Sequence, residues 1–152
     1  MEEGRAAARA GFLGLAAGHE RTSTTIWQAI LAEVDLACGD VASANAVLDD
    51  AFAFVAETGE RIVEHELHRL RGECVLAAAT TRAEKARAAE HFERAMAIAA
   101  AKKLTLFELR AATRLLRLRG KAARERVVRL VERFDGENDC ADARLARALL
   151  GA

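Results

Sequence analysis

Proline and tyrosine are absent from the 152 residues, aromatic residues are scarce (six Phe, one Trp), and the 23 basic and 23 acidic side chains leave no net charge. Each shortage excludes something. Without proline there is no residue that removes a backbone donor and clashes with the preceding turn, so helices can run uninterrupted. Few stretches combine β-branched with aromatic residues, so a sheet has little material to grow from. A general nucleic-acid binder carries a basic surplus or stripe, and a zero balance argues against one. No apolar run is long enough to span a bilayer, and Met1-Glu2-Glu3-Gly4-Arg5 is no signal peptide, so no membrane partner is expected. Cys38, Cys74 and Cys140 are far apart, odd in number and without CxxC spacing. They read as reduced thiols of a cytoplasmic protein.

What is present is alanine, about a quarter of the chain. Alanine has the best intrinsic helix propensity, so the whole length is predisposed to helix. The length suits one domain over 1–152 with one continuous core. Glycines and polar clusters cut it into helix-sized pieces. A first helix is expected over 5–19, with Ala8, Phe12, Leu15 and Ala16 at helical spacing. Thr22-Ser23-Thr24-Thr25 supplies N-cap residues for a second over about 25–38, with Ile26, Ile30, Val34 and Ala37 along one side. Gly39-Asp40 stops it, and a third runs over about 41–58 to Gly59, a left-handed C-cap. A fourth is expected over 60–79, then Thr81 and Glu84 form a capping box for a fifth over about 83–102. The sixth covers 105–119, the seventh 121–134 beyond Gly120, and after a loop at 135–139 the last covers 141–150.

Self-similarity separates a bundle from a repeat array. Leu31, Ala32, Gly39, Asp40, Ala44, Leu48 and Ala51 carry a pattern of small residues in a first helix, Gly-Asp at the turn, and Ala-x3-large-x2-Ala in a second. The small residues let two helices approach and the large one fills the gap between them. The pattern returns as Gly72, Ala88, Phe92 and Ala95, and more weakly as Ala111, Ala123, Val127 and Leu130. It resembles the tetratricopeptide repeat. Ala51 to Ala95 is 44 residues and Ala95 to Leu130 is 35, against a usual period of about 34. The resemblance implies a right-handed α-α superhelix of about eight helices: a lone helix 5–19, pairs 25–58, 60–102 and 105–134, and a capping helix 141–150.

The order of segments also resembles one family of tetratricopeptide proteins. Gly59-Glu60-Arg61, then Glu66-Leu67-His68-Arg69-Leu70-Arg71-Gly72-Glu73, is similar to a "GER…AELxRLKGELLL" stretch in certain bacterial regulators. Ala88-Ala89-Glu90-His91-Phe92-Glu93-Arg94-Ala95 and Glu108-Leu109-Arg110-Ala111-Ala112-Thr113 continue the likeness. Asp139-Cys140-Ala141-Asp142 and Ala146-Arg147-Ala148-Leu149-Leu150 resemble the family's closing segment. Those regulators are large signalling ATPases whose C-terminal repeat region follows a nucleotide-binding module, some with a cyclase or DNA-binding output domain. The likeness implies only the helical scaffold portion, because no GxxxxGK[ST] phosphate loop or cyclase segment exists here.

Reactive constellations are thin. Glu64-His65-Glu66-Leu67-His68 approaches HExxH, but its histidines are three apart and Arg69 stands where the second would be. A His-x2-His pair needs a third ligand, and Glu64 and His91 are the nearby candidates by type. The plainer reading is an exposed, charged helix face with His68 at a packing position. No metal, cofactor or catalytic residue is therefore assigned. Cys74 reads as a buried thiol and Trp27 as a core or end-packing residue, a binding anchor if exposed. Arg110, Arg114, Arg117, Arg119, Lys121 and Arg124 could contact an anion, although Glu108 and Glu125 flank them.

In such a superhelix the first helix of each pair lines the concave side. That side is expected to present Ile26, Ala29, Glu33 and Leu36, then Glu66, Arg69, Glu73 and Leu76, then Thr105, Glu108, Ala112 and Leu115. Glu33, Leu36, Glu66, Arg69, Glu73, Leu76, Glu108 and Leu115 are the candidate partner-binding residues. Arg69 is alone among acids, so a protein or peptide segment with basic and apolar groups fits better than an acidic tail. The expected function is a non-catalytic scaffold, with a groove-based small-molecule or peptide sensor as the alternative and a metal-dependent enzyme as a remote one. Self-association through Phe12, Leu13 and Leu15 is a further expectation.

Overall fold

Turn and cap chemistry places most helix ends. The computed structural model describes residues 23–134 and 139–151, with Glu3, Gly4, Ala6, Ala7, Ala10, Gly11 and Gly14 before them. Most of the helix expected over 5–19, the apolar residues Phe12, Leu13 and Leu15, and the loop at 135–138 lie outside the described residues. Seven helices follow: α1 (Thr24–Ala37), α2 (Val41–Thr58), α3 (Glu64–Ala78), α4 (Arg82–Ala101), α5 (Thr105–Arg119), α6 (Lys121–Val131) and α7 (Ala141–Leu150). The described residues form an all-α bundle, and no helix among them is long and apolar enough to cross a membrane.

Asp40 caps α2 by accepting the Ser43 N–H at 2.9 Å, and Gly59 ends that helix at φ 75°. Thr81 and Glu84 make a complete capping box on α4, and the backbone N–H groups of Thr81 and Thr80 hold the Glu84 carboxyl down at about 2. Two expectations change. Ser23 precedes α1 in a left-handed conformation (φ 64°) and makes no side-chain cap; the Thr25 N–H instead donates to Glu60 at 3.3 Å, from the α2–α3 connection. The helix expected from 60 begins at Glu64, and Glu60 is thereby free to serve α1.

Packing follows a regular rule. Each helix lies against the next in the chain, and α1 also touches α3, α3 touches α5, and α5 touches α7. Among the described residues the backbones of α2 and α4, and of α4 and α6, stay farther apart, although Met96 of α4 and Ala123 of α6 pack into the same two cores. The interior is accordingly a row of three cores. One joins Ala29, Ala32, Leu48, Ala51, Leu67 and Leu70 from α1 to α3. Another joins Ala88, Phe92 and Leu115, with Val75 and Leu76 against them. The last joins Leu109, Ala112, Val127, Leu130 and Ala146. Large side chains sit opposite small ones. Leu48 shares its core with Ala32, Val127 with Ala112, and Phe92 lies over Gly72, where an added Cβ would be 2.7 Å from the ring. The small residue of α5 in the last core is Ala112; Ala111, to which the sequence pattern pointed, is also fully buried. Burying each of these large chains is worth about 1.5–3 kcal/mol.

The apolar stripe along α1 is not its inner side, and Trp27, read as a core or end-packing residue, is exposed. Ile30 and Ala37 are exposed, Ile26 and Val34 half-buried, and Trp27 is 41 % exposed. Thr25, Gln28, Ala29, Leu31, Ala32 and Asp35 face inward instead. Small side chains there let α2 come close, and Asp35 accepts a 2.6 Å hydrogen bond from Ser43 Oγ across the gap.

Gly72→Ala is expected to lose about 1–2 kcal/mol in urea unfolding, because the clash with Phe92 outweighs the roughly 1 kcal/mol gain in helix propensity. Combined with Phe92→Leu, the costs should fall short of additive by about 1 kcal/mol. Strict additivity would show that the two residues do not share the contact.

Candidate functional site

Helices α1, α3 and α5 place a cluster of charged side chains along the side on which they touch. Arg69 of α3 is its centre. Burial alone would lower its pKa, but Glu66 and Glu33 outweigh that and hold it above the ordinary range. Its Nε donates to Glu66 at 2.8 Å and its Nη2 to Glu33 at 2.7 Å, with Glu73 at 3.9 Å from Nη1. Glu66 is itself buried, which pushes its carboxyl pKa up against the pull of Arg69. Arg110 of α5 stands 3.9 Å from Glu66 and donates from Nε to Asp142 of α7 at 2.9 Å. Arg114, one turn on, pairs with Glu73. A cavity of about 150 Å³ opens here, lined by Glu33, Arg69, Arg110, Thr113, Arg114, Asp142 and Leu145.

Four of the eight residues singled out from the sequence therefore meet: Glu33, Glu66, Arg69 and Glu73. Leu36 and Leu76 are half-buried against the first and second cores. The other two lie elsewhere. Glu108 is buried and accepts from Arg126 Nε of α6 at 2.7 Å, and Leu115 is only 3 % exposed, packed with Ala88, Ala89 and Phe92. The cavity also takes Arg110, Arg114, Asp142 and Leu145, which sequence reasoning did not include. The available signal was charge spacing: Arg110 and Arg114 lie one helical turn apart, as acids Glu66 and Glu73 lie two turns apart on α3. The basic run from Arg110 to Arg124 is not one stripe. Arg119 pairs with Glu93, and Arg124 donates to the Leu150 carbonyl at 2.7 Å.

The histidine segment is buried, not the exposed charged face expected. Helix α3 touches α1, α2, α4 and α5, so even its polar positions lose solvent. His65 meets Phe107 edge-on at 4.5 Å between ring centroids; His68 lies between Phe52 at 5.0 Å and His91 at 5.8 Å. Burial, then the nearby cations, pulls both imidazoles down to about 4 and lowers His91 as well. Both ring nitrogens of His65 and Nδ1 of His68 lack a hydrogen-bond partner. Among the described residues no group of three or more His, Cys, Asp or Glu is placed to hold a metal ion together. Cys74 is buried, as its sequence context implied, and burial pushes its thiol pKa up.

No protein-family model, curated protein or solved structure matches the chain.

The ion pairs and histidines predict different responses. Arg69→Ala is expected to cost about 3–5 kcal/mol, because it strands Glu66 in the interior. Glu33→Ala should cost under about 1 kcal/mol, since that side chain is 58 % exposed. Equal costs in chemical denaturation would contradict the ranking. Histidines whose folded pKa is depressed take up protons more readily when unfolded, so stability should fall as pH drops from about 6.5 to 4. Glu66, raised, acts in the opposite sense over the acidic part of that window. The slope of melting temperature against pH should flatten in His65→Leu/His68→Leu, and an unchanged slope would remove the histidines as its source.

Proposed function

We propose that the chain is a tetratricopeptide-like right-handed α-α superhelix that works as a non-catalytic interaction scaffold. It takes a protein or peptide segment along the side formed by α1, α3 and α5, with Glu33, Leu36, Glu66, Arg69, Glu73 and Leu76 as the contributing residues first expected there. Arg110, Arg114, Asp142 and Leu145 extend that surface. The observation that carries the reading is the alternation in packing: the backbones of odd-numbered helices approach one another while those of even-numbered ones stay farther apart. Curvature of that kind makes the odd-helix side the concave one. The small-against-large contacts at Ala32–Leu48, Gly72–Phe92 and Ala112–Val127 support the same reading, since they occupy corresponding places in successive helix pairs.

The chemistry of the surface favours a partner with basic and apolar groups. Its carboxylates number one more than its guanidiniums: Glu33, Glu66, Glu73 and Asp142 against Arg69, Arg110 and Arg114. Leu145 offers an exposed apolar contact beside them. At about 150 Å³ the cavity is below the roughly 300–1,000 Å³ of small-molecule sites, which supports an extended segment over an enclosed ligand. A buried Cys74 thiol with a raised pKa is a poor nucleophile, in keeping with a scaffold. The resemblance of its sequence segments to the repeat region of bacterial signalling ATPases supports a scaffold working in cytoplasmic signalling or transcription regulation.

Random peptides displayed on phage and panned against the full chain should enrich Lys or Arg spaced with Leu or Ile. Enriched peptides, measured by fluorescence anisotropy, should bind Glu33→Lys/Glu73→Lys at least about tenfold more weakly, a loss of roughly 1.4 kcal/mol. Binding that ignores both substitutions would end the assignment to this side. Enrichment of acidic peptides whose affinity changes with those substitutions would reverse the partner chemistry of this side.

A further inference from the structure

A second cleft, of about 490 Å³, lies between the first turns of α4, the end of α5 and the start of α6. Its lining divides cleanly. Ala86, Ala89, Leu118 and Ala122 make an apolar floor, Arg82, Lys85 and Arg119 make the rim, and no carboxylate lines it. The space exists because three of the four floor residues are alanines, which leave room where longer side chains would meet.

Charge at this rim is unlike that along α1, α3 and α5. There Arg69, Arg110 and Arg114 are each matched by carboxylates. Here Arg119 pairs with Glu93, but among the described residues neither Arg82 nor Lys85 has a carboxylate partner. The first turn of α6, which contributes Ala122, has no side-chain cap on its N–H groups, and its positive potential offsets that of the α5 C-terminus beside it. Cations without counter-charges beside an uncovered apolar floor call for a ligand that is anionic and apolar at once.

We propose that this cleft docks an acidic peptide segment of a partner protein. Its Asp or Glu carboxylates would lie on Arg82, Lys85 and Arg119, and one of its aliphatic side chains on Ala86, Ala89, Leu118 and Ala122. A nucleic-acid strand fits the lining less well. Three cations track little phosphate backbone, and the floor has no aromatic ring on which a base could stack. The cleft shares no residue with the cavity beside Arg69, so its failure leaves the reading of that surface intact, and the reverse.

The test uses the full chain and the labelled peptide Glu-Asp-Leu-Leu-Asp-Glu in an anisotropy titration at physiological salt. Glu-Asp-Ser-Ser-Asp-Glu and a single-stranded oligonucleotide of equal charge run in parallel. The leucine peptide is expected to bind at least about tenfold tighter than the serine peptide and tighter than the oligonucleotide. Arg82→Glu/Lys85→Glu should abolish binding, with circular dichroism confirming that the helices persist and Lys85→Glu alone as the milder variant. Glu93→Gln, which releases Arg119 to the rim, should tighten binding about two- to fivefold. Equal affinity for the two peptides, tighter binding of the oligonucleotide, indifference to the charge reversals, or no binding up to about 1 mM would each overturn the proposal.

Discussion

The arrangement of this chain depends on how closely neighbouring helices can approach. Where Phe92 meets α3 it does so over Gly72, where any Cβ would collide with the ring. Ala32 and Ala112 admit the smaller Leu48 and Val127 into the flanking cores. The size of the small residue on one helix is thus matched to the large one on the next. Substitution of either member alone leaves a clash or a void. Close approach has a second effect. It draws α3 so far in among α1, α2, α4 and α5 that polar residues on most of its sides are removed from water.

That burial turns a charge-rich sequence into an electrostatic framework. Arg69, Glu66 and Glu108 are all buried although each belongs to a residue type that normally stays at the surface. Arg69 is tolerated because carboxylates from two helices converge on it, Glu66 and Glu73 from its own and Glu33 from α1. Arg110 and Arg114 extend the same network to α5 and, through Asp142, to α7. Zero net charge over the whole sequence thus coexists with local matching along α1, α3 and α5 and with unmatched cations elsewhere, Arg82 and Lys85 at the cleft rim among them.

Much of the helical organisation was readable from local chemistry. Gly59, Asp40 and the Thr81–Glu84 box act through backbone groups one turn away, and such signals are written in adjacent residues. Long-range effects were not. Glu60 caps α1 from 35 residues further along, so no window of sequence around Ser23 could show it. The inner side of α1 is not its most hydrophobic one: Ile26 and Ile30 outweigh Ala29 and Ala32 in hydrophobicity, while close packing selects the small pair. The site shows the same division. Glu33, Glu66, Arg69 and Glu73 could be grouped by repeat position, but Arg110, Arg114 and Asp142 join them through the register of α5 and α7 against α3. Glu108 and Leu115 had the right positions by count and the wrong direction, one turned to Arg126 and the other into a core.

One property of the packing extends beyond binding. Every helix packs on its chain neighbours, but next-but-one backbones come close only along the odd-numbered helices, so that bracing lies on one side. Such a body has a stiff edge and a compliant edge. Bending that spreads α2, α4 and α6 works against fewer close backbone approaches than compression along α1, α3 and α5, which meets packed side chains and the Arg69 ion pairs.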